Sequence, residues 1–149
     1  MATSKSLREM LIWHEGLRLR PYDDATGKQH RTGVPIRGKL TIGVGRNLDD
    51  AGITREEALT LLDHDIAKVR RDVNRALLWF RGLNRVRQNV VLNMVFNLGL
   101  PRFRTFKNTV AAIKEKRWDD AANEMLNSRW ARQVKGRARE LARMMRRGT

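Results

Sequence analysis

The 149-residue chain contains no cysteine, which excludes disulfide bonds, thiolate metal sites and a cysteine nucleophile. No apolar run approaches the length that spans a bilayer. The three histidines, His14, His30 and His64, lack the spacing of metal ligands, so we expect neither a zinc site nor a cofactor. Internal repeats and low-complexity segments are also missing. With 41% hydrophobic residues, the chain is typical of one globular domain.

Acidic residues are scarce relative to basic ones, above all in the second half. The formal net charge is +15; residues 1–74 hold 13 Lys and Arg against 11 Asp and Glu, whereas residues 75–149 hold 18 against 5. Such an excess attracts polyanions, which include nucleic acid, anionic lipid and an acidic cell-wall polymer. Charge alone does not choose among them.

The first residues are polar and lead into a short predicted helix. Residues 1–6 contain no apolar segment typical of a secretory signal, so we expect a protein made without one. Leu7, Met10 and Leu11 recur at helical spacing and Gly16 follows as a helix stop. Glu15 is therefore predicted to lie at the C-terminal end of this helix.

The next segment changes character. Residues 17–48 are rich in glycine, hold two of the three prolines and include a β-favouring run at residues 40–44, which predicts a small antiparallel sheet. Thr54 and Glu57 then form a capping-box pattern, which begins a helix that runs to about residue 78.

The rest of the chain is predicted to be helical. A more apolar stretch at residues 84–98 indicates a buried central helix, and shorter helices are expected near 106–115, 117–127 and 136–147. The predicted fold class is α+β, with a small sheet lobe at about 17–53, a linking helix at about 55–78 and a helical lobe at about 80–149.

Glu15 and Asp24 are candidates for paired carboxylate chemistry. Hydrolysis of a glycosidic bond needs a poorly solvated acid that stays protonated and a second carboxylate that stays ionised. Glu15 is expected to lie between an apolar helix face and Leu17, and Asp24 lies in a polar turn. The alternative is that Glu15 is a surface residue and Asp24 a turn residue, since most carboxylates are solvated.

Blocks at residues 15–24, 41–45, 93–99, 116–122 and 128–130 occur in the order seen in phage-type lysozymes. The chain therefore resembles this family of T-even phage endolysin muramidases (glycoside hydrolase family 24) over about residues 7–147. The resemblance implies a lysozyme-like fold and an inverting enzyme that cuts between N-acetylmuramic acid and N-acetylglucosamine. It also implies that Glu15 is the general acid, that Asp24 orients the attacking water and that Thr41 helps to hold this water.

The resemblance suggests further residues. Phe96 and Thr109 match positions that line the saccharide cleft, and Asn97 sits in the same block as Phe96, so all three are candidate substrate-binding residues. Phe96 is equally well explained as a core aromatic. Arg46 and Asp65 occupy positions where relatives pair a histidine with an acid, which predicts an Arg46–Asp65 ion pair with a structural role.

Two tryptophans are expected to lie in the core. Trp118 and Trp130 have apolar neighbours at helical spacing, which favours core packing over sugar stacking.

The interval between Asp24 and Thr41 is long. Sixteen residues, 25–40, separate Asp24 from Thr41, far more than in the family pattern, which predicts a longer hairpin or flap beside the cleft. Asp23 is an adjacent competitor of Asp24, and the eight-residue interval from Glu15 favours Asp24.

Residues 129–147 hold eight Lys and Arg and one acid. This segment is interpreted either as a docked helix with a solvated basic face or as a helix that binds anionic lipid or lipopolysaccharide and permeabilises outer membranes.

The leading hypothesis is a monomeric endolysin that acts on peptidoglycan. The resemblance implies that it stays in the host cytoplasm until a separate holin releases it to the periplasm and cell wall. A lytic transglycosylase, a nucleic-acid-binding protein and a purely membrane-active antimicrobial protein remain the alternatives.

Overall fold

A computed structural model describes residues 6–149 of the chain. The chain divides into two compact units, with the boundary between Leu59 and Thr60, and each unit is described by itself. This boundary falls inside the helix Arg55–Ala76. The interpretation of the whole chain as one catalytic domain stays a prediction.

The first unit contains one helix and a three-stranded sheet. These elements are α1 (Leu7–Glu15), β1 (Arg18–Asp23), β2 (Leu40–Gly43) and β3 (Arg46–Asn47). The strands are antiparallel in the order β1-β2-β3. Thr41 of β2 pairs with Tyr22 on one side and with Asn47 on the other, so β2 is the central strand. The sheet confirms the β part of the predicted α+β class.

Helix α1 is bounded by local hydrogen bonds. The Ser6 main-chain N–H donates to Glu9 Oε2 at 2.7 Å, and the Glu9 N–H donates to Ser6 Oγ at 3.3 Å, which completes a capping box. At the other end Gly16 has φ +75° and donates its N–H to the carbonyl of Ile12 at 2.9 Å. Glu15 is thus the last residue of the helix, as the sequence predicts.

The second unit is helical, and α2 enters it from the first unit. Its elements are α2 (Arg55–Ala76), a 3₁₀ turn (Leu78–Gly82), α3 (Arg85–Leu98), α4 (Leu100–Phe103), α5 (Lys107–Lys114), α6 (Trp118–Leu126), α7 (Arg129–Val134) and α8 (Gly136–Arg147). The capping box predicted at Thr54 and Glu57 is present, with main-chain donors at 2.8 and 3.1 Å. The predictions for α3, α5, α6 and α8 are confirmed within about two residues, whereas α4 and α7 are not predicted.

The hydrophobic core lies in the second unit and is centred on α3. Val90, Val91 and Met94 are fully buried on this helix, in agreement with the predicted central helix. Phe80, Phe103, Ile113, Met125 and Trp130 surround them and are also almost completely buried. Each such side chain contributes roughly 1.5–3 kcal/mol through its removal from water, so this cluster is the main source of stability in the unit.

The last helix of the basic C-terminal segment, α8, packs against the rest of its unit through its apolar side. Helix α8 buries Ala138, Leu141, Ala142 and Met145 and contacts α6 and α3. Its exposed face carries the arginines. The interpretation as a docked helix with a solvated basic face therefore describes α8 in this structure.

One arginine ties the end of α8 to α3. The Arg87 guanidinium donates to the carbonyls of Met145 at 2.8 Å and Arg146 at 3.1 Å, which are at the negative end of the helix dipole. It also lies 3.9 Å from the ring centroid of Trp118. Desolvation by burial lowers the pKa of Arg87. In residues 6–149, no helix is both long and apolar enough to cross a membrane.

Candidate active site

The Glu15 carboxylate lies against the turn that joins β2 and β3. Gly45 in this turn has φ +68°, a conformation that favours glycine. A Cβ atom built on Gly45 would lie 2.8 Å from Glu15 Oε2 and 3.3 Å from Glu15 Cδ. The missing side chain of Gly45 therefore provides the space that the carboxylate occupies.

The surroundings of Glu15 differ from the low solvation that the sequence leads us to expect. Glu15 is exposed, Leu17 is 59% exposed, and α1 buries none of its side chains. The apolar residues at helical spacing on α1, such as Leu7 and Met10, remain in contact with water. Helical periodicity identifies an apolar face, but it does not decide what covers that face.

Asp24 follows directly after β1 and is held by the other end of the insertion. Its main-chain N–H donates to the carbonyl of Lys39 at 3.1 Å. Its Oδ1 accepts the main-chain N–H of Lys39 at 2.6 Å. Asp24 itself is exposed. One carboxylate oxygen is thus oriented by the protein while the side chain faces solvent.

Thr41 lies on β2, opposite Tyr22 of β1. Asp24 follows β1 two residues after Tyr22. The Thr41 side chain is buried, and its hydroxyl donates to the Lys39 carbonyl at 3.2 Å. Asp24 and Thr41 are therefore linked through Lys39, whose main chain hydrogen-bonds to both side chains.

Asp23 is in a different environment from Asp24. Its side chain is 6% exposed, and its two oxygens accept main-chain N–H groups from Ala25, Arg37 and Gly38 at 2.9–3.0 Å. The hydrogen bond from the Arg37 main chain is the largest cause that lowers the pKa of Asp23. The Asp23 carboxylate is therefore already engaged in hydrogen bonds within the protein.

The long interval between Asp24 and Thr41 forms a structured flap rather than an extended hairpin. Asp23 donates its N–H to the Lys28 carbonyl at 3.0 Å, and Tyr22 forms an isolated bridge with Gln29. The flap borders an open cavity of about 210 Å³ lined by residues that include His30, Pro35 and Arg37. Within the described part of the chain, the Nδ1 atom of His30 is buried without a hydrogen-bond partner.

The ion pair of Arg46 differs from the predicted one. The expected partner is Asp65, but the guanidinium binds Glu57 at 2.7 Å. The capping hydrogen bond with Thr54 already holds Glu57 at the start of α2. This bond is the largest cause that lowers the pKa of Glu57, and Arg46 lowers that pKa further. Asp65 lies about two helical turns farther along α2, whereas Glu57 is held in place beside Arg46.

The residues expected to bind substrate lie in the second unit. Phe96 is 45% exposed and lines a cavity of about 380 Å³ with Leu62 and Ile66, so it is not a core aromatic. Asn97 Oδ1 accepts a hydrogen bond from the indole of Trp130 at 2.8 Å. Thr109 is buried and lines a separate cavity of about 250 Å³. Their role in substrate binding stays a prediction.

The tryptophans pack as the sequence predicts. Trp130 is 1% exposed within the core, and Trp118 is partly buried against it. In residues 6–149, no group of three or more His, Asp and Glu side chains has an arrangement that could hold a metal ion.

Comparison with known proteins identifies the family. The family model described as phage lysozyme matches residues 13–148. The chain belongs to the phage lysozyme family. It is 28% identical to "Probable T4-type lysozyme 1" of Dictyostelium discoideum, with 97% of this chain and 95% of the relative aligned. It is 34% identical to the pre-baseplate central spike protein Gp5 of Enterobacteria phage T4, with 89% of this chain but 26% of the relative aligned.

Family membership gives the chemistry in outline. The protein is a peptidoglycan-hydrolysing lysozyme with the lysozyme-like α+β fold. The predicted residues Glu15, Asp24 and Thr41 all belong to its first unit.

Sequence reasoning missed three residues that shape this site. Gly38 and Gly45 face the carboxylates of Asp24 and Glu15 so closely that a Cβ atom would collide with them. Asp23 is considered from the sequence only as a competitor of Asp24, although an aspartate at the start of a turn commonly accepts nearby main-chain N–H groups. That pattern predicts the bond from Ala25, but not those from Arg37 and Gly38.

Proposed function

We propose that the protein is an endolysin-type muramidase that hydrolyses the β-1,4 bond between N-acetylmuramic acid and N-acetylglucosamine with inversion. Glu15 protonates the leaving oxygen, Asp24 orients the attacking water, and Thr41 helps to hold that water. The observation that carries the proposal is that different parts of one sheet hold the two carboxylates. Glu15 contacts the β2–β3 turn at Gly45, and Asp24 is bonded to Lys39.

This arrangement suits two separate tasks. A general acid must exchange its proton with substrate, and the exposed Glu15 at the end of α1 is accessible for that. We propose that bound glycan excludes water from Glu15, since the free protein leaves it solvated. Asp24 has one oxygen engaged by a main-chain donor, which fixes the orientation of a carboxylate that positions water.

The basic surface suits the substrate. The net charge of +15 attracts the anionic groups of the cell wall and would keep the enzyme on it. We propose that the exposed arginines of α7 and α8 contribute to this retention, and that they also contact anionic lipid or lipopolysaccharide. Release from the cytoplasm by a separate holin, a phage origin and a monomeric state belong to the same proposal. The Dictyostelium relatives show that the family also occurs outside phages.

The central experiment compares wild type with Glu15→Gln in clearing purified peptidoglycan. We expect Glu15→Gln to lose at least about a hundredfold in rate, since an amide cannot donate the required proton. Glu9→Gln is the matched control, because Glu9 lies on the same helix and caps its other end. Clearing at the wild-type rate by Glu15→Gln would show that the mechanism is wrong.

Product analysis separates the alternatives. Hydrolysis yields new reducing ends, whereas a lytic transglycosylase yields anhydro-sugar ends. Inversion at a β-linked substrate yields the α-anomer first, which proton NMR detects before mutarotation. An early β-anomer would contradict the inverting mechanism and leave the muramidase assignment intact.

A further inference from the structure

The buried side chain of Asp23 joins the two ends of the flap between Asp24 and Thr41. The Asp23 carboxylate accepts the N–H of Ala25 at 3.0 Å at the start of the flap, and those of Arg37 and Gly38 at 2.9 and 3.0 Å at its end. Hydrogen bonds to an ionised acceptor are stronger than neutral ones. The side chain is 6% exposed, so water competes little for them.

The end of the flap also holds Asp24. Lys39, which follows Gly38 directly, donates its N–H to Asp24 Oδ1 at 2.6 Å. Gly38 itself lies so close that a Cβ atom there would collide with Asp24 Oδ1. A shift of the chain at residues 37–38 would therefore move the donor that orients the Asp24 carboxylate.

We propose that Asp23 is a positioning residue for Asp24. Its carboxylate fixes residues 37–38, so that the Lys39 N–H holds Asp24 Oδ1 and directs Oδ2 toward the attacking water. This inference rests on the proposed function, because it assumes that Asp24 orients that water. Asp23 does not take the catalytic role itself, since its oxygens already accept three N–H groups and solvent hardly reaches them.

A double-mutant cycle separates positioning from stabilisation. Asp23→Asn keeps the shape of the side chain but removes the charge and replaces one acceptor oxygen with a donor. We expect kcat on peptidoglycan to fall about tenfold or more with KM changed less than about threefold, since small misplacements of a catalytic group are costly. In the Asp24→Asn background, Asp23→Asn should change kcat by less than about twofold, because its target is already removed.

A structural role alone gives a different pattern. It would lower the melting temperature and reduce kcat by the same factor in both backgrounds, and that result would overturn the proposal. Glu9→Gln is the control, since it removes a carboxylate that also accepts a main-chain N–H and whose pKa is also lowered by that bond. Its kcat should remain within about twofold of wild type.

A second variant covers the case in which Asp23→Asn does not fold. Asp23→Glu keeps the charge and both acceptor oxygens but places them one methylene farther from the backbone. It should displace residues 37–38, lower kcat and again have no effect in the Asp24→Asn background. Wild-type kcat in Asp23→Glu would overturn the proposal.

The cycle also distinguishes failure of this inference from failure of the proposed function. If wild type does not cleave peptidoglycan, or if Asp24→Asn retains full activity, the proposed function or its site is wrong. If Asp24→Asn loses activity and a folded Asp23→Asn does not, only the positioning role is wrong.

Discussion

Substitution of Gly45 by alanine should reduce activity because it displaces the Glu15 carboxylate. The new Cβ would lie 2.8 Å from Glu15 Oε2, and an ordinary contact begins near 3.4 Å, so the carboxylate oxygen must retreat by about 0.6 Å. The carboxylate is the flexible end of an exposed side chain, and its displacement costs little folding free energy. Because a misplacement of about 1 Å can cost a hundredfold in rate, we expect kcat to fall about ten- to a hundredfold.

Gly43→Ala is the matched control at the other end of the same turn. Gly43 has φ +69° against +68° for Gly45, so both substitutions carry a similar backbone strain of about 1–2 kcal/mol. A Cβ on Gly43 meets no atom within 4 Å. The assay is kcat on purified peptidoglycan together with urea unfolding. Similar losses of stability but unequal kcat are expected, and equal kcat in the two variants would refute the steric argument.

Three further outcomes are expected. Gly38→Ala should lose both activity and stability, because its Cβ would collide with Asp24 Oδ1 and with the main-chain nitrogen and Cβ of Ala25, which cannot swing away. Retention of either property in unfolding and rate measurements would contradict this. Arg87→Ala should lower the free energy of unfolding by about 2 kcal/mol, since it removes two hydrogen bonds to the end of α8 and a cation–π contact. Arg87→Lys should recover only part of that stability. An unchanged denaturant midpoint in Arg87→Ala would be evidence against the role of these contacts. The pKa of Asp23 is lowered from 3.8, so its contribution to stability is complete well above that pH and is lost as pH falls through the lower folded value. The stability difference between wild type and Asp23→Asn should therefore shrink between about pH 5 and about pH 3. A constant difference would exclude a stabilising role for the ionised carboxylate.

Elements that depend on close neighbours in the chain are predicted well. The stop at Gly16, the capping box of α2 and the central helix α3 follow from hydrogen bonds and side-chain spacings within about four residues. The capping box at Ser6 and Glu9 has the same local pattern and is equally readable from the sequence. Helices α4 and α7 are missed because each is only one or two turns long, too short for a periodic signal.

Residue pairings across the fold are predicted less well. The choice between Glu57 and Asp65 as the partner of Arg46 depends on where the β3 strand meets α2, which spacing alone does not determine. The exposure of Glu15 likewise depends on what covers α1. Phe96 is apolar and lies on the most buried helix, yet it faces a cavity, because only one side of α3 is enclosed by the core.

The sequence by itself determined the α+β class and the family resemblance, and it predicted Glu15, Asp24 and Thr41 as site residues, since these depend on local pattern and on order along the chain. Only the tertiary structure decided which atoms hold those residues. The donors to Asp23 at Arg37 and Gly38 lie 14 and 15 residues away, and Gly45 meets Glu15 across a turn. The physical reason is that contacts between distant residues are set by how the sheet closes and how the flap returns to it.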